Sequence, residues 1–225
     1  MTYQKLKTTI SVILLILIQN IYSQNMDFAS EQGLIARSRS RIVDAEGSPY
    51  VNDDFKMLKI DGFNVVFQGR YNAYYDEMEI KLSDDKIVSL GNNSEYVVTF
   101  SSDDKTYKTY NISNDKDISK RSFLVVLEET ENYSILKKES VKFYSKIESR
   151  SSYQSEIPAK FKREDDQYFV KYDNKVVSLP QKKKDFLDTF PEHSSKLKSY
   201  IKDNKLKLKH EEDLVKLTQY LITLK

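Results

Sequence analysis

This sequence predicts an α+β fold, mainly β: an antiparallel β-meander, a sandwich or open barrel, with a short C-terminal helical appendage. Three observations carry that expectation. Through most of residues 55–180, apolar and polar residues alternate with a period of two, the signature of half-buried strands. Short turns rich in Asp and Asn separate the alternating runs. After Pro180 the apolar residues fall three and four apart, as on a helix face.

The first 23 residues read as a cleavable secretory signal peptide. Lys5 and Lys7 supply a basic start, Thr8–Ile18 is uncharged, and Ser23 offers a small residue before a cut at Gln24. The apolar core is about half the ~20 residues a membrane-spanning helix needs, and no other stretch comes close, so no transmembrane segment is expected in the mature chain. Residues 24–44 have no strong pattern and are expected to be a disordered N-terminal segment. The β domain is assigned to residues 45–180 and the helices to 181–225.

Within the β domain, Val65, Phe67, Tyr71, Ala73 and Tyr75 are expected on one strand face, with Asn64, Gln68, Arg70, Asn72 and Tyr74 mostly on the other. Met78, Ile80 and Leu82 alternate with Glu77, Glu79 and Lys81. Tyr96, Val98 and Phe100 do the same. Phe123–Leu127 is apolar throughout, which suits a central strand buried on both faces. The turns Ser83-Asp84-Asp85-Lys86, Ser102-Asp103-Asp104-Lys105, Glu164-Asp165-Asp166-Gln167 and Asp173-Asn174-Lys175 suit antiparallel hairpins. Seven to nine strands are expected. The segments 80–90 and 170–179 resemble each other, the second one residue shorter, and convergence on a common hairpin sequence is favoured over duplication.

Short apolar stripes follow Pro180: Phe186, Leu187 and Phe190; Leu197, Tyr200 and Ile201; and Leu214, Leu217 and Leu221. Two or three short helices are expected, packed on the sheet or on one another. Pro191 suits the start of the second helix. Glu211, Glu212 and Asp213 suit the positive N-terminal end of the third.

Composition narrows the function classes. There are 36 basic and 34 acidic side chains. Removing residues 1–23 takes away Lys5 and Lys7 and no acid, leaving a nominally neutral chain. General affinity for polyanions is not expected. The lysines at 182–184 and 196–209 are interrupted by acids and read as a solvated helix face, so no nucleic acid is called for. No cysteine is present, which excludes disulfides and a lipid-anchoring cysteine.

Catalytic patterns are equally sparse. His210-Glu211-Glu212-Asp213 lacks the second histidine of a zinc-protease helix, and His193 stands alone near a helix start. Asn111, Ser113, Asp115 and Asp117 present oxygens at alternate positions, but Lys116 and Ser122 stand where a calcium loop needs glycine and a bidentate acid. No glycine-rich phosphate loop or serine nucleophile elbow occurs. No cofactor or metal is implied.

The most distinctive stretches are Gly47-Ser48-Pro49-Tyr50-Val51-Asn52-Asp53-Asp54-Phe55 and Arg70-Tyr71-Asn72-Ala73-Tyr74-Tyr75-Asp76-Glu77-Met78-Glu79. With the Lys-rich segment 200–214, they resemble small exported proteins of the Bacteroidota that have no assigned function. The resemblance runs in order over most of residues 45–225. It implies an exported location and this architecture, and brings no activity, ligand or catalytic residue.

The candidate binding residues are Arg70, Asn72 and Tyr74, with Asp76 and Glu77 nearby. Arg offers a planar fork for carboxylates, and Tyr offers a face for a sugar or peptide. The structural alternative is an Arg–carboxylate cluster that locks a hairpin. The expectation for the whole chain is an exported cell-envelope protein, periplasmic or extracellular, acting as a non-enzymatic binding or structural module toward an envelope protein or glycan. The enzymatic alternative is a carboxylate-dependent hydrolase acting on envelope or extracellular polymers.

Overall fold

The computed structural model describes residues 45–84, 86–113, 119–149 and 155–224. The expected signal peptide, the segment 24–44, and Asp115 and Asp117 of the calcium candidate lie outside the described residues. Among the described residues twelve strands are present: β1 (Lys56–Ile60), β2 (Val66–Asn72), β3 (Glu77–Ser83), β4 (Lys86–Leu90), β5 (Val97–Phe100), β6 (Thr106–Ser113), β7 (Ser119–Glu129), β8 (Tyr133–Lys138), β9 (Val141–Tyr144), β10 (Lys160–Arg163), β11 (Gln167–Tyr172) and β12 (Lys175–Leu179). Three helices follow: α1 (Lys183–Thr189), α2 (Ser194–Asp203) and α3 (Glu211–Thr223), with a 3-10 turn at Pro191–His193.

Ten strands form one sheet in the order β12-β11-β8-β7-β6-β5-β1-β2-β3-β4, and β9 and β10 form a separate ribbon. Every strand pairing is antiparallel, and the sheet is not closed. The strand count exceeds the expected seven to nine, because several short apolar runs each make a strand of only four or five residues.

The meander is broken twice. After the edge strand β4 the chain returns to place β5 beside β1. The β9–β10 ribbon is inserted between β8 and β11. The turn Glu164–Gln167 therefore joins two sheets, because β10 pairs with β9 while β11 pairs with β8 and β12. An Asp-rich turn reports that the chain reverses, not which strand it then pairs with.

The sheet curls strongly. The Tyr71 ring on β2 lies 6.2 Å from the Phe123 ring on β7. Those strands are four places apart, which in a flat sheet is about 19 Å. The curl encloses one core: Leu58, Ile60, Tyr71, Met78, Ile80, Val88, Leu90, Val98, Phe100, Tyr107, Phe123 and Val125. A second core lies between β8, β11 and β12 and the helices. Ile135, Tyr168, Val170 and Leu179 meet Phe186, Leu197, Ile201, Leu214, Leu217 and Leu221 there. A small third core holds Leu124, Leu136 and Phe169. β7 sends Phe123 and Val125 into the first core and Leu124 into the third, so it is buried on both faces as its sequence predicts.

The helical stripes all face the second core. Glu211, in the first turn of α3, accepts from Lys137 Nζ at 2.7 Å and Tyr168 OH at 2.9 Å, pinning the helix to β8 and β11. Part of the Lys-rich segment is not helical. Lys205 has φ 53°, and Leu206 and Leu208 drop into the second core between α2 and α3.

Two turns show why Asp and Asn stand where they do. Tyr172 pairs with Lys175, leaving Asp173 and Asn174 as a two-residue loop with φ 46° and 59°, the tight hairpin form that needs two left-handed residues. The similar β3–β4 hairpin has one residue more, and its register shifts between Lys81 and Ser83, a bulge at Leu82. The two similar hairpins form opposite edges of the sheet.

Candidate functional site

The five candidate binding residues do not form one exposed strip. β2 ends at Asn72, and Ala73–Asp76 is a turn in which Asp76 takes φ 59°. The expected strand alternation therefore stops before Tyr74. Val65, expected on the buried face, is 42% exposed ahead of the strand. Arg70, Asn72, Asp76 and Glu77 are all buried, and Tyr74 is half-buried.

Arg70 and Asn72 share one face with Glu79, which lies opposite Arg70 in the register. Arg70 donates from Nε to Glu79 at 3.0 Å, from NH1 to the Asp53 carbonyl at 2.8 Å and from NH2 to Tyr50 OH at 2.7 Å. Its guanidinium lies between the Tyr50 and Phe55 rings, 3.6 and 4.3 Å from their centroids. Asn72 Nδ2 and Tyr50 OH donate to the other Glu79 oxygen at 3.1 and 3.0 Å. This is an Arg–carboxylate lock that fastens residues 50–55 onto the β2–β3 hairpin. Tyr74 instead joins the Phe143 and Phe161 rings.

Asp76 faces the interior, away from Arg70. It ion-pairs with Lys138 and accepts from Tyr71 OH at 2.7 Å, Ser122 Oγ at 2.7 Å, Asn92 Nδ2 at 2.9 Å and the Phe123 backbone N–H at 3.1 Å. Burial pushes its carboxyl up, but the Lys138 charge and the bonds from Lys138, Ser122 and Tyr71 outweigh burial and hold it below the usual range. Burial is also the largest influence on Lys138, drawing its ammonium down while Asp76 opposes the shift.

Beside this cluster the Tyr71 and Tyr107 rings lie 4.8 Å apart. Tyr107 OH donates to Glu139 at 2.5 Å, and Lys105 Nζ lies 2.9 Å from both Glu139 oxygens. Burial raises Glu139, but Lys105, Tyr107 and Arg163 together bring it below its usual value. Burial, then Asp76 for Tyr71 and Glu139 for Tyr107, pushes both phenols well up. The interior thus holds two charged acids, two neutral tyrosines and two lysines in one linked network. A cavity of about 140 Å³ adjoins it, lined by Lys56, Arg70, Tyr71, Asp103, Lys105 and Tyr107 among others. Arg70, Tyr71, Lys105 and Tyr107 are already engaged with protein partners.

Sequence reasoning missed Lys138, Glu139, Tyr107 and Lys105. The only local signal was Lys137-Lys138-Glu139 at the end of an apolar strand, which reads equally well as a solvated strand end.

A wider, open groove of about 370 Å³ lies where the β11–β12 turn approaches β5, β6 and β7. Tyr96, Lys108, Tyr110, Asn111, Arg121 and Lys171 line it. Lys171 is half-buried, with its ammonium 5.4 Å from the Tyr110 ring centroid. Arg121 reaches Asn111 at 3.3 Å and the largely exposed Glu95 at 3.7 Å. Unlike the guanidinium of Arg70, that of Arg121 keeps donor capacity toward the groove.

Among the described residues, no group of three or more His, Cys, Asp or Glu could hold a metal ion. His210 is exposed, 3.9 Å from Asp213, and His193 is half-buried at the end of the 3-10 turn. Among the described residues no helix is long and apolar enough to cross a membrane. No family model matches the chain, and no curated protein or solved structure does either.

Proposed function

We propose that this chain is an exported cell-envelope protein that works as a non-enzymatic binding module, and that it takes an envelope glycan in the groove between β5–β7 and the β11–β12 turn. The groove's chemistry carries this reading: Tyr96 and Tyr110 line it beside the cations Lys171 and Arg121, with the acids Asp61 and Glu95 at its edge. Aromatic faces stack on sugar rings, and a planar guanidinium accepts a carboxylate by two bonds. The export pattern of residues 1–23 and the resemblance to small exported Bacteroidota proteins support the compartment. The binding role moves from Arg70 and Asn72 to this groove, because their polar atoms are occupied within the protein.

The two interior acids do not suit the protonated acid of a hydrolase. A hydrolytic general acid needs a carboxyl held protonated near neutral pH. Asp76 and Glu139 are shifted the other way by their lysine partners. The test is retention of the protein on isolated envelope polysaccharide. Lys171→Glu with Arg121→Glu should lower retention at least tenfold and leave the melting temperature within a few degrees. Retention equal to the parent's would remove the groove from this role. Shortening of the polysaccharide by pure protein would establish the hydrolase instead.

A further inference from the structure

The β9–β10 ribbon is anchored at one end. The anchored end is apolar: Val141 is buried, and the Phe143 and Phe161 rings lie 5.1 Å apart against Tyr74. The register sets Lys142 directly opposite Lys162, and Tyr144 opposite Lys160. All four side chains are exposed. Like charges directly opposite on a sheet face are destabilising. Among the described residues no carboxylate ion-pairs with any of these three lysines, and Lys142 instead lies 5.1 Å from the Tyr144 ring centroid.

Further out, the two arms meet again at Ile147 and Ile157, which exchange backbone hydrogen bonds of 2.9 and 3.0 Å. Their side chains are 53% and 47% exposed. The two strands themselves carry four basic side chains, Lys142, Lys160, Lys162 and Arg163, and no acid; just outside them Lys146 ion-pairs with Glu148 and Glu156, and Tyr144 OH donates to Glu164 at 3.1 Å.

Water hydrates the ammonium groups without removing their mutual repulsion, and it leaves the isoleucines uncovered. A soluble polyanion would relieve the lysines but not the isoleucines. An apolar protein surface would cover the isoleucines but not the lysines. A bilayer with anionic headgroups does both: phosphates meet the ammonium groups, and the acyl boundary takes the isoleucines and the tyrosine ring. We propose that the β9–β10 ribbon docks on an anionic lipid surface, with Lys142, Lys160 and Lys162 at the headgroups and Ile147 and Ile157 inserted. This contact is separate from the glycan groove, so either can fail alone.

The test is co-sedimentation of the purified protein with vesicles of phosphatidylcholine alone or mixed with phosphatidylglycerol. The parent should bind the mixed vesicles and not the neutral ones. Replacing the three lysines by Gln should weaken binding on the order of a hundredfold, whereas Lys142→Arg with Lys162→Arg should keep it. Ile147→Thr with Ile157→Thr keeps β-branched side chains in the ribbon and should weaken binding roughly tenfold or more. Unchanged melting temperatures would show that the variants remain folded. Equal binding of the parent to both vesicle types would overturn the proposal. So would parent-like binding by the lysine or isoleucine variants, or equally tight binding of soluble polyphosphate.

Discussion

At the scale of residues, two buried charges hold different parts of the molecule. Arg70 makes three directed bonds and two ring contacts. A lysine there keeps the charge and loses the fork. Arg70→Lys should therefore cost about 2 kcal/mol, seen as a melting temperature lower by roughly 4–8 °C in a domain of this size. An unchanged melting temperature would show that the lock adds nothing to stability. Asp76 makes the complementary prediction in pH. Its folded value lies below the ordinary carboxylate range, so its contribution is present in full above the unfolded pKa. It is lost as pH falls through that range toward the folded value, and Glu139 acts in the same direction. Thermal melts should show stability dropping below about pH 4. Asp76→Asn should cost about 3–5 kcal/mol at neutral pH by leaving Lys138 buried without its anion, and should flatten that acid limb. Arg70 was legible in the sequence as a binding candidate or a carboxylate lock, but Glu79 and Tyr50 as its partners were not. Lys138 was not legible as the partner of Asp76, because only the curl of the sheet brings β8 to the Asp76 turn.

At the scale of elements, local chemistry decides the turns and close packing decides the strands. The Asp173-Asn174 loop needs two left-handed residues, which cost roughly 1–2 kcal/mol each for most side chains. Asp173→Ala with Asn174→Ala should lower stability in urea by about 2 kcal/mol, while Asn174→Gly should hold or raise it. An alanine pair as stable as the parent would mean the hairpin tolerates another turn. Gly69 is required for space. A Cβ there would sit 2.6 Å from Leu58 Cδ2 and 2.7 Å from the Glu79 carbonyl. Gly69→Ala should cost about 1–3 kcal/mol, and a neutral result in the same urea assay would show that β3 can move aside. The Asp-rich turn before β11 was legible as a reversal, but its neighbours were not, because pairing depends on residues distant in sequence.

At the scale of the whole molecule, the helices do not form a body of their own. Ile135, Tyr168, Val170 and Leu179 on the sheet share one core with Phe186, Leu197, Leu214 and Leu217. A chain ending at Pro180 would expose that sheet face to water, and apolar patches of such size drive association. It should elute as aggregate in gel filtration, whereas the chain to Lys225 should remain soluble. A soluble, cooperatively melting truncation would show that the curled sheet suffices.

The sequence alone determined the class of fold, the antiparallel hairpins, the doubly buried strand at Phe123–Leu127 and the places of the three helices. These follow from periodicity and turn chemistry, which act between residues a few positions apart. Only the tertiary structure decided the return of β5 to β1, the insertion of the ribbon, the separation of Asp76 from Arg70 and the interior network around Lys138 and Glu139. Those depend on how far the sheet curls. That is set by side-chain volumes meeting across the core, with Tyr71 against Tyr107 and Phe123, a sum over residues up to 50 or so positions apart that no local pattern records.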